Sequence, residues 1–251
     1  MAHQFSQLVA LAFLAHPDDA EFLCAGTLIR LVAVGWQVHI LTATAGDLGS
    51  MTQDRWQIAA RRTAEGAKAA ALIGAQYHCL NEQDTLVCYD KPTLQKAFDT
   101  FRRIAPSLVF THAPKDYMID HEMVSLLTRA ASFAYPIPHA STHPRHPQSQ
   151  IPYLYYCDPI EGRDPSGQLV EPTTLIDISA QIETKAHMLA CHESQRSWLL
   201  EHHGMDEYVE SMCRHGVLRG KAIGVAAAEA FVQHRGHAYP ADDLLSALLR
   251  N

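Results

Sequence analysis

The chain has 251 residues, 47% of them hydrophobic and 19% charged, with a net charge of −7, the balance of a globular enzyme with a substantial core. No Lys/Arg-rich face offsets that negative charge, which argues against a nucleic-acid partner. The apolar run nearest the N-terminus covers about eight residues, too short to span a bilayer, and it lacks a cationic flank and cleavage site, so no membrane insertion is expected.

"LVALAFLA" (8–15) reads as a buried strand that runs into "HPDD". "CAGTLIRLVAVG" (24–35) follows as a helix closed by Gly35. A second strand, "QVHILTATA" (37–45), ends in "GDLGS", and a longer helix spans "RWQIAARRTAEGAKAAALIG" (55–74). After a short strand near "QYHCL" (76–80), Asp90 caps a helix with Pro92 in its first turn, running to about Arg103. "SLVFTH" (107–112) is a fourth strand and "DHEMVSLLTRAASFA" (120–134) the helix behind it.

From 135 to 172 the chain is rich in Pro, His and Tyr. It reads as a long loop, including an exposed "HASTHPRHP", then a strand at "PYLYYCD" and a turn at "PSG". Such a loop is a candidate lid or pocket wall. "TTLIDIS" (173–179) predicts a strand, "AQIETKAHMLACHESQ" (180–195) a helix, and "GVLRGKAIGVAAAEAFVQ" a mostly helical end. The expected fold is α/β: one domain over 1–251, built on a mostly parallel, doubly wound sheet with C-terminal helical and loop additions. Six scattered cysteines without a CxxC pair fit reduced thiols and a cytoplasmic location.

Ligands of doubly wound sheets sit beyond the carboxyl ends of the strands, and "HPDD", "GDLGS" and "THAPKDYMIDH" all fall at that edge. Two carboxylates and an imidazole within four positions resist burial together unless a cation joins them. His16 and Asp19 lie three apart in a turn, and Pro17 biases His16 toward extended backbone. His121, opening the helix after the fourth strand, is the natural third ligand. Two imidazoles and one carboxylate with an open position form a catalytic zinc set, and Asp18 is left as a free carboxylate beside it. Such a set also accepts other divalent metals.

The segments "AHPDDAEF", "CAGTL", "TATAGDLGS", "RRTAEGAKAAALIG", "THAPKDYMIDH", "KAHMLACHESQ" and "RG…AEAF" occur in the order seen in the LmbE/PIG-L zinc deacetylases. The chain resembles that family over most of its length. The resemblance implies a Rossmann-like fold and hydrolysis of an N-acetyl group on a glucosamine-type sugar or conjugate, giving acetate and a free amine. It implies His16, Asp19 and His121 as zinc ligands and Asp18 as general base. The partner is then a small acylated amino sugar; a homo-oligomer stays open.

One position departs from the family: Met118 stands where a histidine is common, three residues before the last ligand. A thioether donates no hydrogen bond, so Tyr117 and His192 are the candidate substitutes. Asp116 and Asp120 are candidate partners of a ligand imidazole, with helix capping the alternative for Asp120. Arg62 and Glu65, three apart, form an i,i+3 pair by default; the resemblance makes Arg62 a candidate substrate contact. Asp47, between Gly46 and Gly49, is a second one. Lys185 and Gln195 read as structural. The competing readings are an amidase of a sugar–thiol conjugate and a non-catalytic Rossmann-like module binding a sugar or nucleotide. Against nucleotide binding, no G-x-G-x-x-G follows the first strand.

Overall fold

A computed structural model describes residues 8–145, 149–196 and 208–249. The first strand, β1 (Val9–Leu14), is buried along its whole length. Its side chains alternate between two cores: Ala10, Ala12 and Leu14 join one cluster, and Val9, Leu11 and Phe13 the other. Apolar residues on both faces are what a central parallel strand requires. Around it, β2 (Gln37–Thr44), β3 (Gln76–Glu82), β4 (Leu108–Thr111), β5 (Tyr153–Cys157), β6 (Thr174–Asp177) and β7 (Ala228–Gln233) form one sheet in the order β3-β2-β1-β4-β5-β7-β6. Strands β1 to β5 pair in parallel; β7 runs antiparallel to both β5 and β6.

The helices are α1 (Asp19–Leu23), α2 (Ala25–Ala33), α3 (Arg55–Ala71), α4 (Lys91–Ile104), α5 (Ile119–Ala134), α6 (Ile182–Ala190), α7 (Tyr208–Ile223) and α8 (Leu244–Leu248). The expected cap forms, Asp90 accepting from the Thr93 amide on α4, and Asp54 closes a capping box with Gln57 on α3. Buried Glu229 on β7 accepts from the Gly26 and Thr27 amides at 2.8 and 2.7 Å and from Lys185 Nζ at 2.5 Å. That contact gives Lys185 a structural role and fixes the start of α2. The chain passes from β1 to β2 and β3 on one side, then crosses to β4 on the other. The crevice between the ends of β1 and β4 is therefore the switch point where ligands bind.

The C-terminal reading needs correction. "AEAFVQ" is strand β7, not helix. Alanine and glutamate favour a helix, but Gly224, at φ 74°, ends α7, and pairing with β5 and β6 takes the next segment into the sheet. In "HASTHPRHP", residues 146 and 147 lie outside the described residues.

At the far edge, His39 on β2 meets His78 on β3, Nδ1 to Nε2 at 2.9 Å. Burial, and then the neighbouring ring, push His39 down from about 6.5 to about 4. A depressed histidine leaves the unfolded chain to take the proton first, so stability is full above pH 6.5 and is lost as pH falls toward 4. Urea unfolding at pH 7 and pH 5 is expected to differ by roughly 1 kcal/mol more in the wild type than in His39→Val.

Candidate metal centre

His16 leaves the sheet two residues after β1, in a turn held by the Asp19 amide on the His16 carbonyl at 3.3 Å and by the His16 amide on Asp19 Oδ2 at 2.7 Å. Between them Asp18 adopts φ 117°, a left-handed conformation costing a non-glycine residue on the order of 1–3 kcal/mol. His121 sits in the first turn of α5, after β4. The switch-point crossing brings the two segments together: single donor atoms of His16, Asp19 and His121 lie within 4.8 Å of one another.

Each imidazole has one nitrogen committed. His16 Nε2 faces Asp84 Oδ1 at 3.1 Å and Asp120 Oδ2 at 3.4 Å, leaving Nδ1 toward Asp19 at 3.4 Å. His121 Nδ1 is held by Asp116 Oδ1 at 2.9 Å. Its Nε2 is buried without a hydrogen-bond partner and stands 3.6 Å from Asp19 Oδ1. An orphaned ring nitrogen beside a carboxylate is the chemistry of a metal ligand, and the carboxylates behind both rings orient them. Burial alone would raise the Asp19 carboxyl, but His121 and His112 hold it well below the usual carboxylate range. A divalent cation fits this set.

The surrounding cavity, about 760 Å³, is lined, among the described residues, by four carboxylates (Asp18, Asp19, Asp84, Asp116) and, of Lys and Arg, by Arg62 alone. That excess of negative charge also calls for a cation. Asp18 stands clear of the three-residue set. Arg62 Nη2 reaches its Oδ2 at 3.2 Å, and Tyr208, which lines the cavity with it, favours its charged form. Burial raises its carboxyl above the usual range, against the pull of Arg62.

The other candidates divide. Tyr117 lines the cavity, edge-on to His121 at 5.3 Å between ring centres. His192 is fully buried and outside the lining, with Nε2 3.3 Å from Glu21 Oε2; Glu21 raises it although burial opposes that charge. Asp47 does not line the cavity; it accepts from Arg55 and from the Asp84 amide, and so places Asp84. Asp120, also outside the lining, accepts from the Thr85 and Val87 amides. Arg62 lines the cavity but is tied to the Pro17 carbonyl at 2.9 Å and the Gly46 carbonyl at 3.3 Å. The default Arg62–Glu65 pairing does not form: Glu65 takes Arg61 at 3.1 Å and Ser194 instead. Gln195, read as structural, lines the cavity as well.

Sequence reasoning missed Asp84, Tyr208 and His112. His112 stacks on His121 at 3.7 Å, accepts from the Ala15 amide at 2.9 Å, and is pushed down to about 4, chiefly by burial. Only its place at the end of β4 hinted at this.

Residues 11–132 match the family model described as PIG-L: GlcNAc-PI de-N-acetylase. The chain is 25% identical over 243 residues to 4-oxalmesaconate hydratase of Pseudomonas putida, covering 92% of this chain and 88% of that protein. It is 25% identical over 237 residues to 1D-myo-inositol 2-acetamido-2-deoxy-alpha-D-glucopyranoside deacetylase of Rhodococcus jostii, covering 72% and 79%. N,N'-diacetylchitobiose deacetylase of Pyrococcus horikoshii shares the fold, with a TM-score of 0.77 at 22% identity over 95% of this chain and 89% of that one.

Proposed function

We propose that this chain, which carries a PIG-L/LmbE family domain, is a metal-dependent N-deacetylase of an N-acetylglucosamine-type sugar or conjugate, with zinc as its metal. The observation that carries the reading is a carboxylate outside the donor set, Asp18, which Arg62 holds in the cavity that the three convergent donors also line. His16, Asp19 and His121 would hold the cation, which when bound polarises a carbonyl oxygen and eases proton loss from water. Asp18 takes the proton as water adds to the acetyl carbon, then returns it to the nitrogen as the C–N bond breaks, giving acetate and a free amine. Arg62 and Tyr208 keep its carboxylate aimed during both transfers. The Tyr117 hydroxyl is the donor for the developing oxyanion, the part Met118 cannot play. Six free cysteines support a reducing, cytoplasmic setting, and among the described residues no helix is long and apolar enough to cross a membrane.

The test is acetate and amine release from N-acetylglucosamine and its disaccharide by zinc-loaded protein. A second reading, hydration of an unsaturated carboxylic acid, draws on Met118 and on the length of the match to the hydratase. Loss of the conjugated acid's ultraviolet absorbance without acetate release from any amide would select it.

Asp84 supports the first ligand from behind. Asp84→Asn is expected to weaken zinc binding by about 10–100-fold, measured by competition with a chromophoric chelator. An unchanged affinity would remove Asp84 from that role.

A further inference from the structure

We propose that the cavity has a second, apolar subsite that takes an alkyl or aryl aglycone of the substrate; this rests on the deacetylase reading. The apolar side chains of the cavity lining are Phe22, Leu23, Leu48, Met118 and Ile160. Phe22 and Leu23 belong to α1, which begins at Asp19, so the apolar wall and the ligand turn are one rigid piece.

Ile160 lines the same cavity from the loop after β5, and that loop is firmly placed. Arg219 Nε and Nη2 grip the Asp158 carboxylate at 2.6 and 2.7 Å, while Nη2 also holds the Val170 carbonyl at 3.0 Å. Gly162, at φ 65°, lies so close beneath that guanidinium that a Cβ there would stand 2.5 Å from Nη2. A left-handed Glu161, at φ 62°, completes the bend that presents Ile160.

Two of the polar groups in the lining are already engaged. Gln195 Nε2 is spent on the Gly49 carbonyl at 3.1 Å, and the Gly49 amide on the Gly46 carbonyl at 3.1 Å. Hydroxyls buried against these walls would lose their water without new partners, whereas an apolar group gains by leaving water. Leu48 at 50% and Ile160 at 37% exposure are the most exposed aliphatic residues of that lining.

The experiment compares N-acetylglucosamine, N,N'-diacetylchitobiose and hexyl N-acetyl-β-glucosaminide as substrates of the zinc-loaded protein. Calorimetry with hexyl β-glucoside, which has no amide to cleave, is set against glucose. The hexyl substrate is expected to exceed the free sugar in kcat/KM on the order of 50-fold, the gain from burying about three methylene groups. Hexyl glucoside is expected to bind where glucose gives no heat. Ile160→Asn and, on an exposed loop that spares the core, Leu48→Asn should cut the hexyl advantage about tenfold in both assays. Hexyl glucoside binding that both variants weaken, with no amide cleaved, keeps the subsite and ends the deacetylase reading. Equal kcat/KM for all three sugars, a preference for the disaccharide, or hexyl glucoside binding no tighter than glucose overturns the subsite.

Discussion

Asp18→Asn is expected to lower kcat by about 10²–10⁴-fold, the usual contribution of a positioned general base, while the protein keeps its zinc and its fold. Asparagine matches the volume of aspartate and tolerates the left-handed backbone at φ 117° better than any other residue but glycine. Its side-chain oxygen can still accept from Arg62 Nη2, now 3.2 Å from Asp18 Oδ2. What the variant loses is the capacity to take a proton. Steady-state kinetics, metal analysis and thermal unfolding on one preparation separate the outcomes. Near-normal turnover would remove Asp18 from the chemistry; lost zinc would make Asp18 a ligand.

The parts of this site legible in the sequence are those where the chemistry is local. "HPDD" follows an apolar strand directly, and "DYMIDH" follows the next strand of the crevice. Strand–helix alternation alone places both at one edge of the sheet, since the order β2-β1-β4 follows from right-handed crossovers on either side. Asp84 was not legible because "NEQDT" is an ordinary polar loop. Its role depends on the Asp47 carboxylate that accepts its amide at 2.8 Å. Tyr208 joins Asp18 in the cavity lining from a helix 190 positions along the chain, a proximity that no local pattern carries. Strand β7 was misread for a different reason: its alanines follow helix propensity, whereas its neighbours in space, β5 and β6, set its conformation. The three tyrosines of β5 are all buried. Their hydroxyls find partners in Asp242, Asp243 and His234, which lets aromatic bulk enter the sheet without an orphaned polar group.

Removing the metal is expected to abolish turnover and to loosen the fold together, because the same atoms serve both. Among the described residues four carboxylates face the cavity against one guanidinium, and without a cation their mutual repulsion opposes folding. A cation bound only by the native state adds about 2.7 kcal/mol at a free concentration 100 times its dissociation constant. For a chain of 251 residues that corresponds to a rise in Tm of roughly 5–10 °C. Chelation followed by calorimetry should show that drop, and zinc should restore both Tm and activity. His121→Ala separates the metal from its setting. The variant withdraws the orphaned Nε2 but leaves Asp18, Arg62 and Tyr208 in place. It should melt near the chelated wild type and gain little from added zinc. Full activity in the chelated protein, or a zinc-dependent Tm in His121→Ala equal to that of the wild type, would break the link between residues 16, 19 and 121 on which the catalytic reading stands.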